Sequence, residues 1–172
     1  AAEGASGFRN RIRAYAAVHG PIPPELYVIA GSPNFMEARD VIDLTNQIRA
    51  LGAVDLVVVD TLAQVSPGAN ENSAEDMGLV LGHCGTLNQV TGAMVLLVHH
   101  SGKDATKGAR GWSGIKAGLN VEIEVTRDGP HRTAAVTKMR DGPGEGDKYG
   151  FTLKTVPIDL DEDGDPVTSC VL

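Results

Sequence analysis

Cysteine is scarce in this sequence: Cys84 and Cys170 are the only two. A pair cannot build a disulfide framework, and neither residue sits in a context that resembles a metal site. A reducing, cytoplasmic setting fits that usage. No apolar stretch approaches the ~20 residues that a membrane helix needs, which leaves no membrane role. A signal peptide is also missing. The chain opens Ala1-Ala2-Glu3-Gly4, polar within three residues and without Met, which suggests a fragment or a processed chain. Nor is there an excess of positive charge. A formal net charge of −7 argues against a surface uniformly built to grip nucleic acid, so any such contact has to come from a local basic loop. One exists: residues 101–116 carry Lys103, Lys107, Arg110 and Lys116 against Asp104 alone. Much of the opposite charge lies near the carboxy terminus, at Asp159, Asp161, Glu162, Asp163 and Asp165.

What is present is the material of one soluble globular domain. The 172 residues are enough to bury a core, and 42% apolar with 22% charged residues is an ordinary globular balance. Phe8, Ile12 and Tyr15 define one face of a short helix, ended by Gly20 and the Pro21–Pro24 loop. Leu26 to Ala30 is expected to form a short strand. Val41, Leu44, Ile48 and Leu51 recur at helical spacing, with Gly52 as a stop. Leu56-Val57-Val58-Val59-Asp60 is apolar at consecutive positions, the pattern of a parallel strand covered on both faces. Residues 64–73 form a loop rich in Gly, Asn and Ser. Met77, Val80, Leu81, Cys84 and Leu87 mark the next helix, and Met94 to Val98 is a second continuous apolar run. Strand, helix, strand at this spacing predicts a right-handed crossover in a parallel sheet. Beyond it the pattern changes to alternation. Val121, Ile123 and Val125, the Asp128-Gly129-Pro130 turn, a strand through Val136, and Phe151, Leu153 and Thr155 predict antiparallel, hairpin-linked strands. No repeat, low-complexity segment or domain linker interrupts residues 1–172.

Ligands of an open α/β sheet bind at the carboxyl ends of its strands. Glu3, Asp60 and the His99–His100 pair fall at such ends. Asp60 closes an aliphatic run and precedes Thr61. A carboxylate there can hold a water of a Mg²⁺ shell, and it can equally cap the next turn. His99 and His100 point to opposite sides of a strand, so only one can face a site; a satisfied structural histidine is the plain alternative for either. Lys138 and Arg140 are two apart, so they project from one face. Such a pair suits phosphate oxygens, or is an ordinary solvated strand face.

Taken in order, these elements resemble the RecA-like hexameric replicative helicases, especially the plasmid and phage RepA-type ATPases and the larger DnaB-type family. Ala1-Ala2-Glu3-Gly4 is similar to the end of the family's second strand. Leu56–Asp60 is similar to its Walker B strand, and Val95–Ser101 to its sensor strand, with His100 at the polar switch position. Ala109-Arg110-Gly111-Trp112-Ser113-Gly114 resembles the motif after the second DNA-binding loop. Lys138-Met139-Arg140-Asp141-Gly142-Pro143 resembles the Lys-x-Arg-x-Gly-Pro element. One part of the pattern is missing: no G-x-x-x-x-G-K-[ST] phosphate loop occurs in these residues. Without its amides and Lys, the chain as given is not expected to cradle phosphates.

The resemblance implies an α/β, RecA-like three-layer sandwich with a mostly parallel sheet and antiparallel strands on the carboxy-terminal side. It further implies an ATP- and Mg²⁺-dependent DNA helicase or translocase working as a homo-oligomeric, hexameric ring on single-stranded DNA. Glu3 would be the general base, Asp60 the Mg²⁺ carboxylate and His100 the contact to the nucleotide. Arg140 and Lys138 would serve a neighbouring subunit's nucleotide, and Lys103, Lys107 and Arg110 would grip the DNA backbone. Two rivals remain: a RecA-like recombination or regulatory ATPase without helicase activity, and a degenerate RecA-like domain acting only as an assembly or DNA-binding module.

Overall fold

A computed structural model describes residues 4–29, 31–100 and 111–172. The chain divides into two compact units, one of Gly31–Leu119 and one of Glu3–Ala30 with Asn120–Leu172.

The first unit is built around a parallel strand pair. It contains α2 (Ala38–Ala50), β1 (Leu56–Asp60), a 3-10 turn (Leu62–Gln64), α3 (Ala74–Thr91), β2 (Met94–Val98) and the short α4 (Gly114–Gly118). In α2, Val41, Leu44 and Ile48 are buried as their spacing predicts, together with Thr45, whose hydroxyl donates to the Val41 carbonyl at 2.6 Å. Leu51 falls just past the helix end and is exposed, and Gly52 takes a positive φ of 95°. Helix α3 begins at Ser73, whose side chain accepts from the Asp76 amide, with Glu75 and Asp76 in the favourable first turn. It ends at Gly92 in the left-handed conformation that glycine adopts at little cost. Met77, Val80, Cys84 and Leu87 form its buried stripe and join Phe35, Val41, Leu44, Ile48, Val59, Leu62, Val65 and Ile115 in one core. Burial in that core pushes the Cys84 thiol up to about 12, so it stays protonated and inert.

Strands β1 and β2 pair in parallel, from Leu56 opposite Met94 to Asp60 opposite Val98, with α3 as the connection between them. The expectation that Leu56–Asp60 is covered on both faces does not hold. Val57, Val59, Val95 and Leu97 pack onto the helical core, whereas Leu56, Val58, Met94, Leu96 and Val98 are exposed. The described helices α2 and α3 supply apolar side chains to one side of this pair, so the continuous run is half used.

The second unit contains α1 (Gly4–His19) and five strands: β3 (Val121–Asp128), β4 (His131–Met139), β5 (Lys148–Thr152), β6 (Lys154–Leu160) and β7 (Pro166–Val171). Strands β3, β4 and β5 form an antiparallel sheet, and β6 and β7 a separate hairpin. The Asp128-Gly129-Pro130 turn is where the alternation put it, with Asp128 opposite His131. Three details differ from expectation. Phe151 and Thr155 belong to different sheets, because the strand breaks at Leu153. Leu26–Ile29 is not a strand; it is an exposed segment after the Pro23–Pro24 turn that pairs with no described strand. Finally, α1 buries Ala14 fully against Val156 and Val171, while Tyr15 is exposed and stacks on His19 at 4.7 Å. The close approach of a helix to a hairpin selects the small side chain. Arg13 holds the same contact from its edge, donating to Asp159 at 2.9 Å and to the Ile158 carbonyl at 2.8 Å.

Candidate functional site

Asp60 is the last residue of β1 and is half-buried. Its strand partner Val98 is the last residue of β2, so the chain runs on into His99 and His100 beside the end that Asp60 terminates. His99 is half-buried and His100 exposed. The backbone after Asp60 is held firmly. Thr61 is buried, and its carbonyl accepts from the Gln64 amide at 2.9 Å. Ser66 then donates to the Leu62 carbonyl at 2.8 Å, and the Val65 carbonyl accepts from the Phe35 amide at 2.6 Å. Asp60 is thus a half-buried carboxylate at a strand end whose following turn is held by these hydrogen bonds.

No group of three or more His, Cys, Asp or Glu side chains that could enclose a metal occurs among the described residues. Mg²⁺ keeps several waters and takes one or two carboxylates together with substrate phosphate oxygens, so a single carboxylate at a strand end has the chemistry to hold one of its waters. Asp60 therefore fits a water-shell contact to Mg²⁺. The phosphates are another matter: these residues include no glycine-rich loop ending in Lys to cradle them.

The loop that follows Asp60 is tied at both ends. The Asp76 carboxylate accepts from the Asn70 amide at 2.8 Å, the Asn70 side chain accepts from the Asn72 amide at 3.0 Å, and the Ser73 backbone amide donates to the Asn70 carbonyl at 2.8 Å. Between them, the Glu71 carbonyl accepts from the Trp112 amide at 2.7 Å. Gly111 stands at φ +100°, and a Cβ there would lie 2.5 Å from the Glu71 carbonyl oxygen. The Trp112 indole packs against the core and lies over Gly114, where any Cβ would run into the ring. This clasp was not legible in the sequence beyond the bare Arg110-Gly111-Trp112 motif.

Lys138 and Arg140 lie in the second unit. Lys138 is half-buried in β4 opposite Glu122, next to a bulge at Glu122–Ile123. Arg140 follows the strand and is exposed. Its amide donates to the Asn120 carbonyl at 2.9 Å, and its guanidinium to the Asn120 side-chain oxygen at 3.1 Å. No pattern in the sequence pointed to Asn120, because an isolated Asn before a strand has many uses. The structure thus groups Asp60 with the strand end leading to His99 and His100, and Lys138 with Arg140. Glu3, Lys103, Lys107 and Arg110 lie outside the described residues.

A parallel strand pair joined by a helix is an α/β arrangement, in which ligands bind at the carboxyl ends of the strands. Comparison with known proteins makes this more specific. Residues 1–106 match the family described as AAA domain, and the chain belongs to that family. Among solved structures, the chain is similar to the RadB recombinase, with a TM-score of 0.55 at 15% identity, over 84% of this chain and 69% of that one. The fold is RecA-like α/β. No match was found among the curated proteins. No helix among the described residues is long and apolar enough to cross a membrane.

Proposed function

We propose that this chain is the ATPase core of a ring-forming DNA helicase or translocase. The observation that carries the reading is Asp60, fixed at the carboxyl end of β1 and in register with the end of β2. Bound Mg²⁺ and ATP would supply the electrophilic phosphorus and neutralise charge on its oxygens. Asp60 would orient a metal-bound water, and Glu3 would accept the proton of the attacking water. His100, at the end of the adjacent strand, would sense the terminal phosphate. Arg140, exposed at the end of β4, would reach the nucleotide of a neighbouring subunit, with Lys138 beside it. Lys103, Lys107 and Arg110 would grip the phosphates of single-stranded DNA without reading sequence.

The likeness to a recombinase supports a second reading, a RecA-like recombination ATPase that moves no strand. Two assays on the assembled protein separate them. DNA-stimulated ATP hydrolysis is expected on both readings, and displacement of a labelled strand from a forked duplex only on the first. Hydrolysis without displacement favours the recombination ATPase. No DNA-dependent hydrolysis refutes both.

A further inference from the structure

The β3–β4 ladder continues one step past its last strand pair. Val121 stands opposite Met139, and beyond them the Arg140 amide donates to the Asn120 carbonyl at 2.9 Å. Asn120 and Arg140 are thus held as a further cross-strand pair. Their side chains meet as well, the guanidinium Nη1 donating to Asn120 Oδ1 at 3.1 Å. The base of Arg140 is also fixed from the β5 side. The Met139 amide donates to the Glu145 carboxylate at 3.0 Å. The loop that carries Glu145 is closed on β4, with the Val136 amide donating to the Asp147 carbonyl at 2.9 Å and the Gly146 amide to the Val136 carbonyl at 2.8 Å. The two cations of this strand end differ in what faces them. Lys138 stands in register with Glu122, an acid, whereas the Arg140 guanidinium bonds to a neutral amide oxygen. A carboxylate partner would orient a guanidinium and offset much of its field; an amide oxygen orients it and adds no opposing charge. An exposed arginine otherwise samples many rotamers. One that must meet a phosphate in a single geometry gains from being held there beforehand.

We propose that Asn120 is a positioning residue for Arg140, orienting its guanidinium for a neighbouring subunit's nucleotide without neutralising it. The inference rests on the role given to Arg140 above and adds the residue through which that role is exercised. Asn120 itself touches no phosphate; it acts only through Arg140, and its neutrality is part of its function.

The test is steady-state ATP hydrolysis by the assembled protein, resolved into kcat and KM, beside the melting temperature of each variant. The set is the parent, Asn120→Ala, Asn120→Asp, Arg140→Ala and the double variant Asn120→Ala/Arg140→Ala. Both positions are exposed, and every substitution keeps the backbone bond between residues 120 and 140. Arg140→Ala should lower kcat on the order of 10³–10⁵-fold. Asn120→Ala should lower it about tenfold, the scale of one lost orienting hydrogen bond, with KM near the parental value. Asn120→Asp keeps the acceptor and adds a carboxylate, so it should melt no lower than the parent and still lose about tenfold in kcat. With Arg140 gone there is nothing left to position, so Asn120→Ala should have no further effect in the Arg140→Ala background. A merely structural Asn120 predicts the reverse: a lower melting temperature with parental kcat in Asn120→Ala, and parental kcat in Asn120→Asp. Parental kcat in either Asn120 variant, or the same fall with and without Arg140, overturns the positioning and leaves the role of Arg140 standing. Parental kcat in Arg140→Ala, or no hydrolysis by the parent, overturns both.

Discussion

Arg140→Ala separates a catalytic from a structural role because the two predict effects of very different size. In this structure the substitution removes a hydrogen bond from an exposed guanidinium to the neutral side-chain oxygen of Asn120. Such a bond contributes about 0.5–1.5 kcal/mol net. The amide of residue 140 still donates to the Asn120 carbonyl, because alanine keeps it. Loss of that bond by itself should therefore cost about 0.5–1.5 kcal/mol of stability. An arginine acting on a neighbour's nucleotide is worth on the order of 10³–10⁵ in rate, or about 4–7 kcal/mol of barrier. The mutant should thus fold, assemble and bind ATP while hydrolysing it far more slowly. Mixing makes the assay specific. In rings of Arg140→Ala and Glu3→Gln subunits, a complete site arises only where an intact Glu3 meets a neighbour's intact Arg140. ATPase rate plotted against mixing ratio at fixed total protein should pass through a maximum. A flat profile, with both mutants folded and assembled, removes Arg140 from the catalytic machinery.

Further perturbations bear on other parts of the molecule. Glu3→Gln should leave nucleotide affinity in the assembled protein nearly intact and lower steady-state turnover ~10²–10⁴-fold, because the amide cannot accept the water's proton. Leu87→Ala empties part of the core at a fully buried position, and denaturant titration should show a loss of about 2–5 kcal/mol with an unchanged slope. The Arg13 guanidinium hydrogen-bonded to Asp159, and secondarily the Leu160 amide, hold the Asp159 carboxyl below its ordinary value of 3.8. Because the folded value is depressed, this contribution is present above pH 3.8 and disappears as pH falls through the folded pKa. NMR titration of Arg13→Ala should bring the Asp159 midpoint back toward 3.8.

The elements with strong periodicity were legible and the terms set by neighbours were not. Helix α3 followed from Met77, Val80, Leu81, Cys84 and Leu87, and the β3–β4 hairpin from Asp128-Gly129-Pro130. A helical stripe or a turn signal is a local property, and local properties survive in a sequence. Leu26–Ile29 has the composition of a strand, but a strand also needs a partner edge, which composition cannot announce. Tyr15 was expected in the face that Ala14 fills, because size was weighed without knowing how closely the β6–β7 hairpin would approach. The same gap affects the site. Asp60 stands out in the sequence because it ends an aliphatic run, whereas Asn120 and the Glu71–Trp112 contact depend on residues far apart in the chain.

Charge gives the strongest constraint on how such a chain could hold DNA. From residue 31 to residue 100 the acids Glu37, Asp40, Asp43, Asp55, Asp60, Glu71, Glu75 and Asp76 face only Arg39 and Arg49 as full cations. A polyanion is therefore repelled by most of the first unit, and at physiological salt that repulsion is screened beyond about 8 Å. A grip by Lys103, Lys107 and Arg110 then works only if those cations are held so that a strand meets them before it meets Glu71, Glu75 or Asp76.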